Sequence, residues 1–303
     1  QPFSPAAGTG LSSHELNMPG CYRDVKDTTC VAMFRLKPGQ KLPFGVDIKS
    51  EDVQAIAWTT TPWTLPSNTA LCVGPGIEYV LVQTFNPYSG QPTNVILAKP
   101  LLNSFFPAEN AEIPFEDYKP GDKKIPFRIL GNTVKGKELK DIAYEQLIPW
   151  VNPGEGAFRI ILGDYVTTED GTGIVHIAPT FGADDDRVAK QAGIPPLVLF
   201  DKDGKQQPMV DRTGKFFLLE QLDADFVKNN VDTDLYRPFE GKFVKNAYDP
   251  AKTEKDPTLD VDIVVMLKSE NKLFKSEKNA HNQPIKSLAR FEKIHINKEK
   301  NCL

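Results

Sequence analysis

The stretch Val53-Gln-Ala-Ile-Ala-Trp-Thr-Thr-Thr-Pro-Trp-Thr-Leu-Pro-Ser-Asn68 holds a strand pattern and, directly after it, the residues that end a strand. Apolar side chains alternate with other side chains through its first half, which is typical of β-structure. Pro62 and Pro66 lack the backbone N–H that a sheet ladder requires, so the chain must leave the sheet there. The stretch therefore predicts a strand that ends at a cleft.

The exit from this strand is rich in groups that both donate and accept hydrogen bonds. They are the hydroxyls of Thr59, Thr60, Thr61 and Thr64 and the amide of Asn68. Such groups suit ribose hydroxyls, an ester carbonyl or a positioned water. A structural interpretation is also open, in which the threonines form a β-branched strand end and the neighbouring tryptophans belong to the core.

Further short apolar stretches, separated by turn residues, predict a β-rich fold. The 25 prolines and 21 glycines among 303 residues are spread along the chain and work against long helices. Strands are predicted within 29–36, 78–85, 157–166, 171–179 and 261–268, a strand running into a short helix within 94–106, and a hairpin within 196–210. Helical or mixed spacing is predicted within 138–150, a polar helix start within 182–193, and an amphipathic helix over 217–231.

A second stretch, Gly171-Thr-Gly-Ile-Val-His-Ile-Ala-Pro-Thr-Phe-Gly-Ala-Asp-Asp-Asp186, joins a strand to a helix start loaded with carboxylates. Acidic side chains stabilise a helix N-terminus, so capping explains at least one of the three aspartates. The alternative is that one carboxylate faces the cleft and binds a cationic amine. His176 likewise is either a satisfied core histidine or a residue of the cleft.

Charge, hydropathy and cysteine content exclude several classes of protein. The net charge is -4 and the isoelectric point is about 5.7, so any contact with RNA must use a local patch. No apolar run approaches the roughly 20 residues that span a bilayer, and no signal-peptide pattern is present, so we expect a soluble, cytoplasmic chain with no membrane partner. The four cysteines are scattered without a CxxC pair, which indicates reduced thiols and no zinc site.

Together, the two quoted stretches resemble the paired signatures of the editing domain in class I aminoacyl-tRNA synthetases for branched aliphatic amino acids. That family combines a threonine-rich peptide with a GTG segment that ends in an essential aspartate. Its leucine and valine enzymes typically carry TTRPD or TTRPE in the first signature, and Met or Lys at the position of His176. TTTPWTLPSN with GTGIVHIAP resembles the isoleucine enzymes instead.

The resemblance extends in order and spacing over about 20–282, and the HIGH and KMSKS signatures of a whole synthetase are absent. We therefore expect an excised insert. The resemblance implies an α/β, β-rich fold, namely a distorted β-barrel with peripheral helices that is joined to the synthetase core by extended ribbon strands. The expected organisation is an extended lead-in or linker over 1–27, the editing domain over 28–240, linker strands returning toward the synthetase core over 241–282, and a non-family or disordered tail over 283–303.

The resemblance also assigns roles to individual residues. Asp185, nine residues after His176, would bind the α-amino group of a mischarged amino acid, and His176 would line the pocket and exclude a larger isoleucyl side chain. Thr59, Thr60 and Thr61 would hold the terminal adenosine and the hydrolytic water, which completes the predicted catalytic set. The predicted substrate-binding set is Trp63, Thr64, Asn68, Gly173, Ile174, Ala178 and Pro179.

These roles imply hydrolysis of the ester of valyl-tRNA(Ile), with valyl-adenylate as a further candidate substrate, in the service of accurate isoleucine-tRNA ligation. One methylene gives only about 1–3 kcal/mol of discrimination, which is why a second sieve is needed. We expect no metal and no cofactor in this chain, with ATP, Mg and Zn confined to a full-length synthetase. The expected partners are the 3′ acceptor end of tRNA(Ile) carrying valine and the rest of the synthetase polypeptide, and the chain itself is expected to be a monomer.

Two other functions stay open. A docking module could bind the tRNA acceptor end without hydrolysing it, although a surface for a phosphate-rich ligand needs neither a buried His176 nor a lone Asp185. A free-standing trans-editing hydrolase is the second. A phosphate-binding loop is excluded, because the segment 131–137 has the right spacing but Glu138 stands where that motif requires Ser or Thr.

Overall fold

The computed structural model describes residues 22–244 and 262–284, together with Phe3–Ser4, Thr9–Gly10, Ser12 and His14. The strands are β1 (Phe3–Ser4), β2 (Thr9–Gly10), β3 (Tyr22–Arg35), β4 (Val53–Thr59), β5 (Ala70–Val73), β6 (Glu78–Phe85), β7 (Pro92–Ala98), β8 (Arg128–Lys135), β9 (Arg159–Leu162), β10 (Ile174–Ile177), β11 (Leu199–Phe200), β12 (Gln206–Gln207) and β13 (Leu273–Pro284). The α-helices are α1 (Leu102–Phe105), α2 (Ala183–Gln191), α3 (Ala224–Asn230), α4 (Thr233–Tyr236) and α5 (Asp262–Ser269). Short 3-10 helices cover Ser50–Asp52, Pro62–Ser67, Lys99–Leu101, Ala108–Glu112, Phe115–Asp117, Gly136–Leu139 and Leu219–Gln221.

Two sheets contain most of these strands. The larger has the order β13-β3-β4-β7-β6-β8, and its neighbouring strands are antiparallel except for the parallel pair β4 and β7. The smaller has the order β10-β5-β9, with β5 antiparallel to β10 and parallel to β9. The predicted strand-rich α/β class is confirmed, while closure into one barrel stays a prediction.

The central strands of the larger sheet are buried on both faces. In β3, Cys30, Ala32 and Phe34 face the main hydrophobic cluster, whereas Val31 and Met33 face a second cluster on the opposite side. A strand covered on both faces needs apolar side chains at nearly every position, which is what the sequence of β3 supplies. A third cluster packs the smaller sheet against α2.

The chain crosses from the larger sheet to the smaller one through the first quoted stretch. β4 ends at Thr59, the 3-10 helix Pro62–Ser67 follows, and β5 begins at Ala70. Proline suits the first position of such a helix because no N–H partner is needed there. β10 pairs with β5 and also lies against β4, so both quoted stretches meet where the two sheets adjoin.

β3 and β13 pair as an antiparallel ribbon from Ala32 with Leu273 out to Tyr22 with Pro284, whereas β3 pairs with β4 only from Cys30 to Arg35. The connection of this ribbon to a synthetase core stays a prediction, and β3 crosses the predicted boundary between residues 27 and 28. Most of the predicted lead-in, residues 245–261 and the predicted tail from residue 285 lie outside the described residues.

One predicted strand is wrong. The valine-rich segment 261–268 is predicted to be a strand, but residues 262–268 lie in α5, and residue 261 lies outside the described residues. Ile263, Val264 and Leu267 are buried while Val265 is 61% exposed, which is the spacing of one helix face. Within the expected linker strands over 241–282, the described residues therefore contain a helix followed by β13.

Two predicted helical segments differ from the structure. In 138–150 the helical turn ends at Leu139, and Tyr144 then bridges to Leu36 while its ring packs edge-on against Phe34. In 217–231 the α-helix starts only after Asp223, whose carboxylate accepts the N–H of Phe226 at 2.8 Å. In both cases a tertiary or capping contact outweighs the local spacing.

β11 and β12 form the predicted hairpin, with Gly204 at its turn in the left-handed conformation at φ +74°. Cys30 and Cys72 are buried free thiols. Within the described ranges, none of the helices has the length and apolar content to traverse a lipid bilayer.

Candidate active site

A cavity of about 310 Å³ opens where the two sheets adjoin. The end of β4 forms one wall, and β10 with the turn before it forms another. The lining residues are Trp58, Thr59, Thr60, Thr61, Tyr165, Thr167, Asp170, Gly171, Thr172, Gly173, Ile174, Val175, His176 and Asp185. The structure thus brings all five residues of the predicted catalytic set into one cavity.

Hydroxyl contacts hold the threonine wall in place. Thr59 Oγ1 accepts a hydrogen bond from the backbone N–H of Thr61 at 3.0 Å and lies 3.3 Å from Thr61 Oγ1. Thr64 Oγ1 donates to the backbone carbonyl of Thr61 at 2.8 Å. These side-chain bonds replace the sheet ladder where Pro62 interrupts it. They fix the polar groups of residues 59–61 along the cavity.

His176 lies on β10, with 8% of its surface exposed. Its Nε2 is 3.2 Å from Thr64 Oγ1. Because the single hydroxyl proton of Thr64 points to the Thr61 carbonyl, the hydroxyl must accept from the ring, and we assign the neutral tautomer with the proton on Nε2. Nδ1 has no hydrogen-bond partner among the described residues.

Burial also determines the charge of this ring. It lowers the pKa of His176 from its ordinary value of 6.5 to about 4. The imidazole is therefore neutral near pH 7, because a buried cation is poorly solvated. A neutral ring suits the wall of a pocket for an uncharged side chain, whereas a pKa of about 4 makes it a weak general base at that pH.

Asp185 lies in the first turn of α2 and is half-buried. One carboxylate oxygen, Oδ2, accepts the backbone N–H of Ala178 at 2.9 Å. Burial raises the pKa of Asp185 above its ordinary range, the bond from Ala178 opposes that shift, and the nearby carboxylate of Asp184 adds to it. The second quoted stretch therefore folds back on itself and directs one carboxylate to the cavity.

The aspartates on either side of Asp185 behave differently. Asp184 is exposed and pairs with Arg187 at 3.2 Å, and Asp186 pairs with Lys190 at 2.6 Å. Both pairs are surface interactions on the helix, with small energies. No side chain caps the helix at Gly182. The structure thus separates the three adjacent carboxylates into one that faces the cavity and two that face solvent.

The predicted substrate-binding residues differ in their position relative to the cavity. Gly173 and Ile174 line the cavity, whereas Thr64 lies behind its wall as the partner of His176. The remaining four lie outside the lining set and are buried, namely Trp63, Asn68, Ala178 and Pro179.

Three of these four buried residues make contacts that stabilise the surroundings of the cavity. Asn68 Nδ2 donates to the carbonyl of Ala70 at 2.8 Å, and its Oδ1 accepts the hydroxyl of Tyr144 at 2.7 Å. Trp63 belongs to the main hydrophobic cluster. Ala178 contributes its N–H to Asp185.

Sequence reasoning left seven lining residues out of the predicted sets. Trp58, Gly171, Thr172 and Val175 lie within the two quoted stretches, whereas three others lie outside them, namely Tyr165, Thr167 and Asp170. All three belong to the loop that joins β9 to the GTG turn. Cys72, beside Tyr165, has a thiol whose pKa burial raises to about 11, so it stays protonated. The only sequence signal was the density of hydroxyl and acidic residues directly before Gly171.

No group of three or more histidine, cysteine, aspartate or glutamate side chains comes close enough to hold a metal ion in the part of the chain that the structure describes. The chemistry available to the cavity from those residues is hydrogen bonding from hydroxyl and backbone groups, one neutral imidazole, the half-buried carboxylate of Asp185 and the exposed carboxylate of Asp170.

Comparison with known proteins first defines a class. No protein-family model matches the chain. The chain does align along nearly all of its length with aminoacyl-tRNA ligases, of which it spans about a quarter. A solved structure found by comparison, the editing domain of the P. knowlesi cytosolic leucyl-tRNA synthetase, is 15% identical with a TM-score of 0.45, covering 86% of this chain and 98% of that one.

Within that class, the matching sequences are isoleucine-tRNA ligases. The enzyme of Bacteroides fragilis is 62% identical over 289 residues, covering 94% of this chain and 24% of the relative. That of Porphyromonas gingivalis is 61% identical, covering 94% of this chain and 25% of the relative. The chain therefore matches one segment of the isoleucine-tRNA ligases at high identity, and the resemblance predicted from the two quoted stretches is confirmed.

Proposed function

We propose that this chain is the editing segment of an isoleucine-tRNA ligase and hydrolyses the ester of valyl-tRNA(Ile). The observation that carries the proposal is the cavity itself. It combines the hydroxyl-rich end of β4, the neutral ring of His176 and the half-buried carboxylate of Asp185 within about 310 Å³. A small aminoacyl ester attached to a ribose needs those three kinds of contact.

Asp185 supplies recognition of the amino group. Burial raises its pKa, which means that the isolated carboxylate is poorly solvated in its charged form. A bound ammonium group compensates for that lost solvation and forms a charge-assisted hydrogen bond. The free α-amino group of an aminoacyl ester is such a cation, whereas a peptidyl ester has none.

His176 supplies discrimination by size. Its buried ring is held through Nε2 by Thr64, so it cannot swing away to admit a larger side chain. Valine and isoleucine differ by one methylene, which is worth only about 1–3 kcal/mol in a binding pocket. A second pocket that rejects isoleucine multiplies that discrimination, as a double sieve requires.

Hydrolysis then requires a water molecule and stabilisation of the carbonyl oxygen. The water oxygen bonds to the ester carbonyl carbon, the acyl–oxygen bond breaks, and the ribose hydroxyl recovers a proton, leaving free valine and tRNA. Hydroxyls of Thr59, Thr60 and Thr61 can position the water and the ribose. Because the imidazole in the cavity has a pKa of about 4, we infer catalysis by positioning.

The proposal extends to partners. The substrate is the valine-carrying 3′ acceptor end of tRNA(Ile), the rest of the ligase polypeptide adjoins the ribbon of β3 and β13, and the chain acts as a monomer with no cofactor of its own. Valyl-adenylate offers the same ammonium and valyl groups to the cavity and is a second candidate substrate. The paired ends of the ribbon support an insert, because the chain enters and leaves side by side.

The test is hydrolysis of valyl-tRNA and isoleucyl-tRNA, both on the isoleucine tRNA, by this chain and by its Asp185→Ala variant. We expect loss of the valyl ester alone, abolished in the variant. Equal cleavage of both esters would contradict the size sieve. Absence of cleavage together with measured tRNA binding would favour the non-hydrolytic docking module.

A further inference from the structure

The turn at Thr172 and Gly173 forms the wall of the cavity that leads directly to His176. Gly173 lines the cavity and adopts the left-handed conformation at φ +71°. A side chain there would meet Ala98, since an added Cβ would lie 2.3 Å from the Cβ of Ala98. Because glycine is conformationally permissive, the local sequence alone does not fix this turn. Contacts from outside the turn add to the local bonds between the Thr172 hydroxyl and the backbone of Ile174.

Tyr79 provides such a contact from the larger sheet. It lies on β6, is fully buried, and its hydroxyl donates to the carbonyl of Gly173 at 2.7 Å. The same hydroxyl accepts the backbone N–H of Gly74 at 3.0 Å. The Tyr79 hydroxyl oxygen therefore connects the start of the β5–β6 turn to the cavity wall at Gly173. Gly173 is 94 residues from Tyr79 in the sequence.

The neighbouring strand adds a second tie at the same place. Tyr79 pairs with Ala98 across β6 and β7, and the N–H of Ala98 donates to the carbonyl of Thr172 at 2.8 Å. Two successive carbonyls of the turn are thus bound by two opposite residues of the larger sheet. The backbone bond would survive most substitutions, whereas the hydroxyl bond depends on one side chain.

We propose that Tyr79 is a positioning residue of the cavity, whose hydroxyl holds the Gly173 carbonyl and thereby the wall that carries His176 in the place that hydrolysis requires. The effect of this hydroxyl on hydrolysis rests on the proposed function, whereas its effect on the position of the cavity wall is independent of that function. Among the described residues, the Tyr79 hydroxyl bonds to Gly173 and Gly74 and not to the threonine hydroxyls of the cavity, so its direct contact with the cavity wall is through the turn at Gly173.

A fully buried tyrosine elsewhere in the chain provides a matched control. Tyr236 also donates its hydroxyl to a backbone carbonyl, that of Phe217 at 2.8 Å, and it packs against Trp150 away from the cavity. Tyr79→Phe and Tyr236→Phe both keep the ring and remove one buried hydroxyl. Loss of a buried bond to a backbone carbonyl is therefore common to both variants, whereas only Tyr79→Phe also leaves the N–H of Gly74 without its hydroxyl partner.

The experiment measures two quantities for the chain and for both variants: the backbone amide hydrogen exchange of peptides that cover residues 171–177, and kcat and KM for hydrolysis of valyl-tRNA(Ile). We expect faster exchange in these peptides in Tyr79→Phe only. We expect its kcat to fall about tenfold or more with little change in KM, since small misplacements of a reacting geometry are costly. Tyr236→Phe should match the unmodified chain in both measurements.

Unchanged exchange in Tyr79→Phe, relative to Tyr236→Phe, overturns the proposal whatever the activity. Faster exchange with unchanged kcat overturns its catalytic part, since the wall would then move without consequence. If the unmodified chain hydrolyses no valyl-tRNA, the proposed function fails, and the exchange comparison alone decides whether the hydroxyl holds the wall.

Discussion

Two clefts of this molecule differ in size and in burial, and the smaller one has the features of an active site. The larger cleft measures about 840 Å³ and is lined by five carboxylates together with Arg35, Lys272 and several amides. Most of these carboxylates are exposed to solvent, among them Asp52 and Glu145. The smaller cavity, at about 310 Å³, is lined by two carboxylates and one imidazole. Asp170 is exposed, whereas the Asp185 carboxylate and the His176 imidazole are both desolvated.

The cations of the larger cleft are already used within the protein. Arg35 Nε donates to the carbonyl of Glu51 at 2.8 Å, and Lys272 Nζ lies 2.8 Å from both the Leu147 carbonyl and a carboxylate oxygen of Glu270. Solvated carboxylates and occupied cations offer a ligand little gain over water. The comparison teaches that desolvation of a few polar groups, more than cavity volume, marks a reactive site.

The largest expected effect is on the carboxylate of the smaller cavity. Asp185→Asn keeps an oxygen that can accept the N–H of Ala178 but removes the charge. We expect hydrolysis of valyl-tRNA(Ile) to fall on the order of a hundredfold or more, because removing one partner of a buried charged pair costs about 2–5 kcal/mol. Steady-state kinetics would measure this.

The matched control for this substitution is Asp186→Asn, one residue further along α2. Its carboxylate pairs with Lys190 on the exposed face of the helix. We expect activity to stay within about twofold, since exposed pairs contribute about 0–1 kcal/mol. Similar losses in both variants would mean that the helix charge, and not the cavity, determines activity.

The second effect concerns stability against pH. The folded pKa of His176 is about 4 and its ordinary value is 6.5, so between these values the unfolded chain binds a proton that the folded chain does not. The contribution of His176 to the free energy of unfolding should therefore be constant above about pH 6.5. It should fall as the pH drops toward 4, by about 3 kcal/mol in total. Asp185, whose folded pKa is raised, contributes in the opposite direction at the acid end.

Urea unfolding of the chain and of His176→Phe, at several pH values between 4 and 7, would isolate this contribution. The phenyl ring fills a similar volume and cannot bind a proton. We expect the free energy of unfolding of the variant to be less dependent on pH over that interval. Parallel curves for the two proteins would show that the histidine titrates normally and that the cavity is wetter than the structure indicates.

The third effect is on selectivity. His176→Ala opens space beside the valyl side chain, so the isoleucyl ester should become a substrate, with the preference for valyl over isoleucyl ester reduced by roughly 10-fold or more. His176→Phe should retain the preference, because the ring wall remains. Single-turnover hydrolysis of the two esters measures the ratio, and a loss of selectivity in the phenylalanine variant would assign the role to the ring nitrogens.

Part of this site could be predicted from the sequence because its parts are contiguous. Thr59, Thr60 and Thr61 end one strand together, and the GTG turn leads to His176 and Asp185 within fifteen residues. Strand-ending prolines and a helix start are local signals. They also predicted the strands β3, β4 and β6 and the hairpin of β11 and β12.

The remainder depends on tertiary pairing that local patterns do not carry. Tyr165 reaches the cavity because β9 pairs with β5 and β5 with β10, and Tyr79 reaches Gly173 from a different sheet. In 261–268 the β-branched residues favoured a strand, and only the burial of Ile263 with Leu267 against the core selects the helix. Which of three adjacent aspartates faces the cavity likewise followed from the fold and the family resemblance, and not from spacing.

The smallest expected effect is in the larger cleft, and it tests the other side of the comparison. Glu145→Gln removes an exposed carboxylate and leaves the backbone hydrogen bond from the Glu145 N–H to the Arg35 carbonyl in place. The free energy of unfolding should therefore change by no more than about 0.5 kcal/mol. Hydrolysis of valyl-tRNA(Ile) should be unchanged. If the variant instead binds the tRNA more tightly, the acidic cleft lies close enough to the RNA to repel its phosphates. If kcat falls, a solvated carboxylate far from the desolvated pair takes part in the reaction, and burial is then the wrong criterion for finding the site.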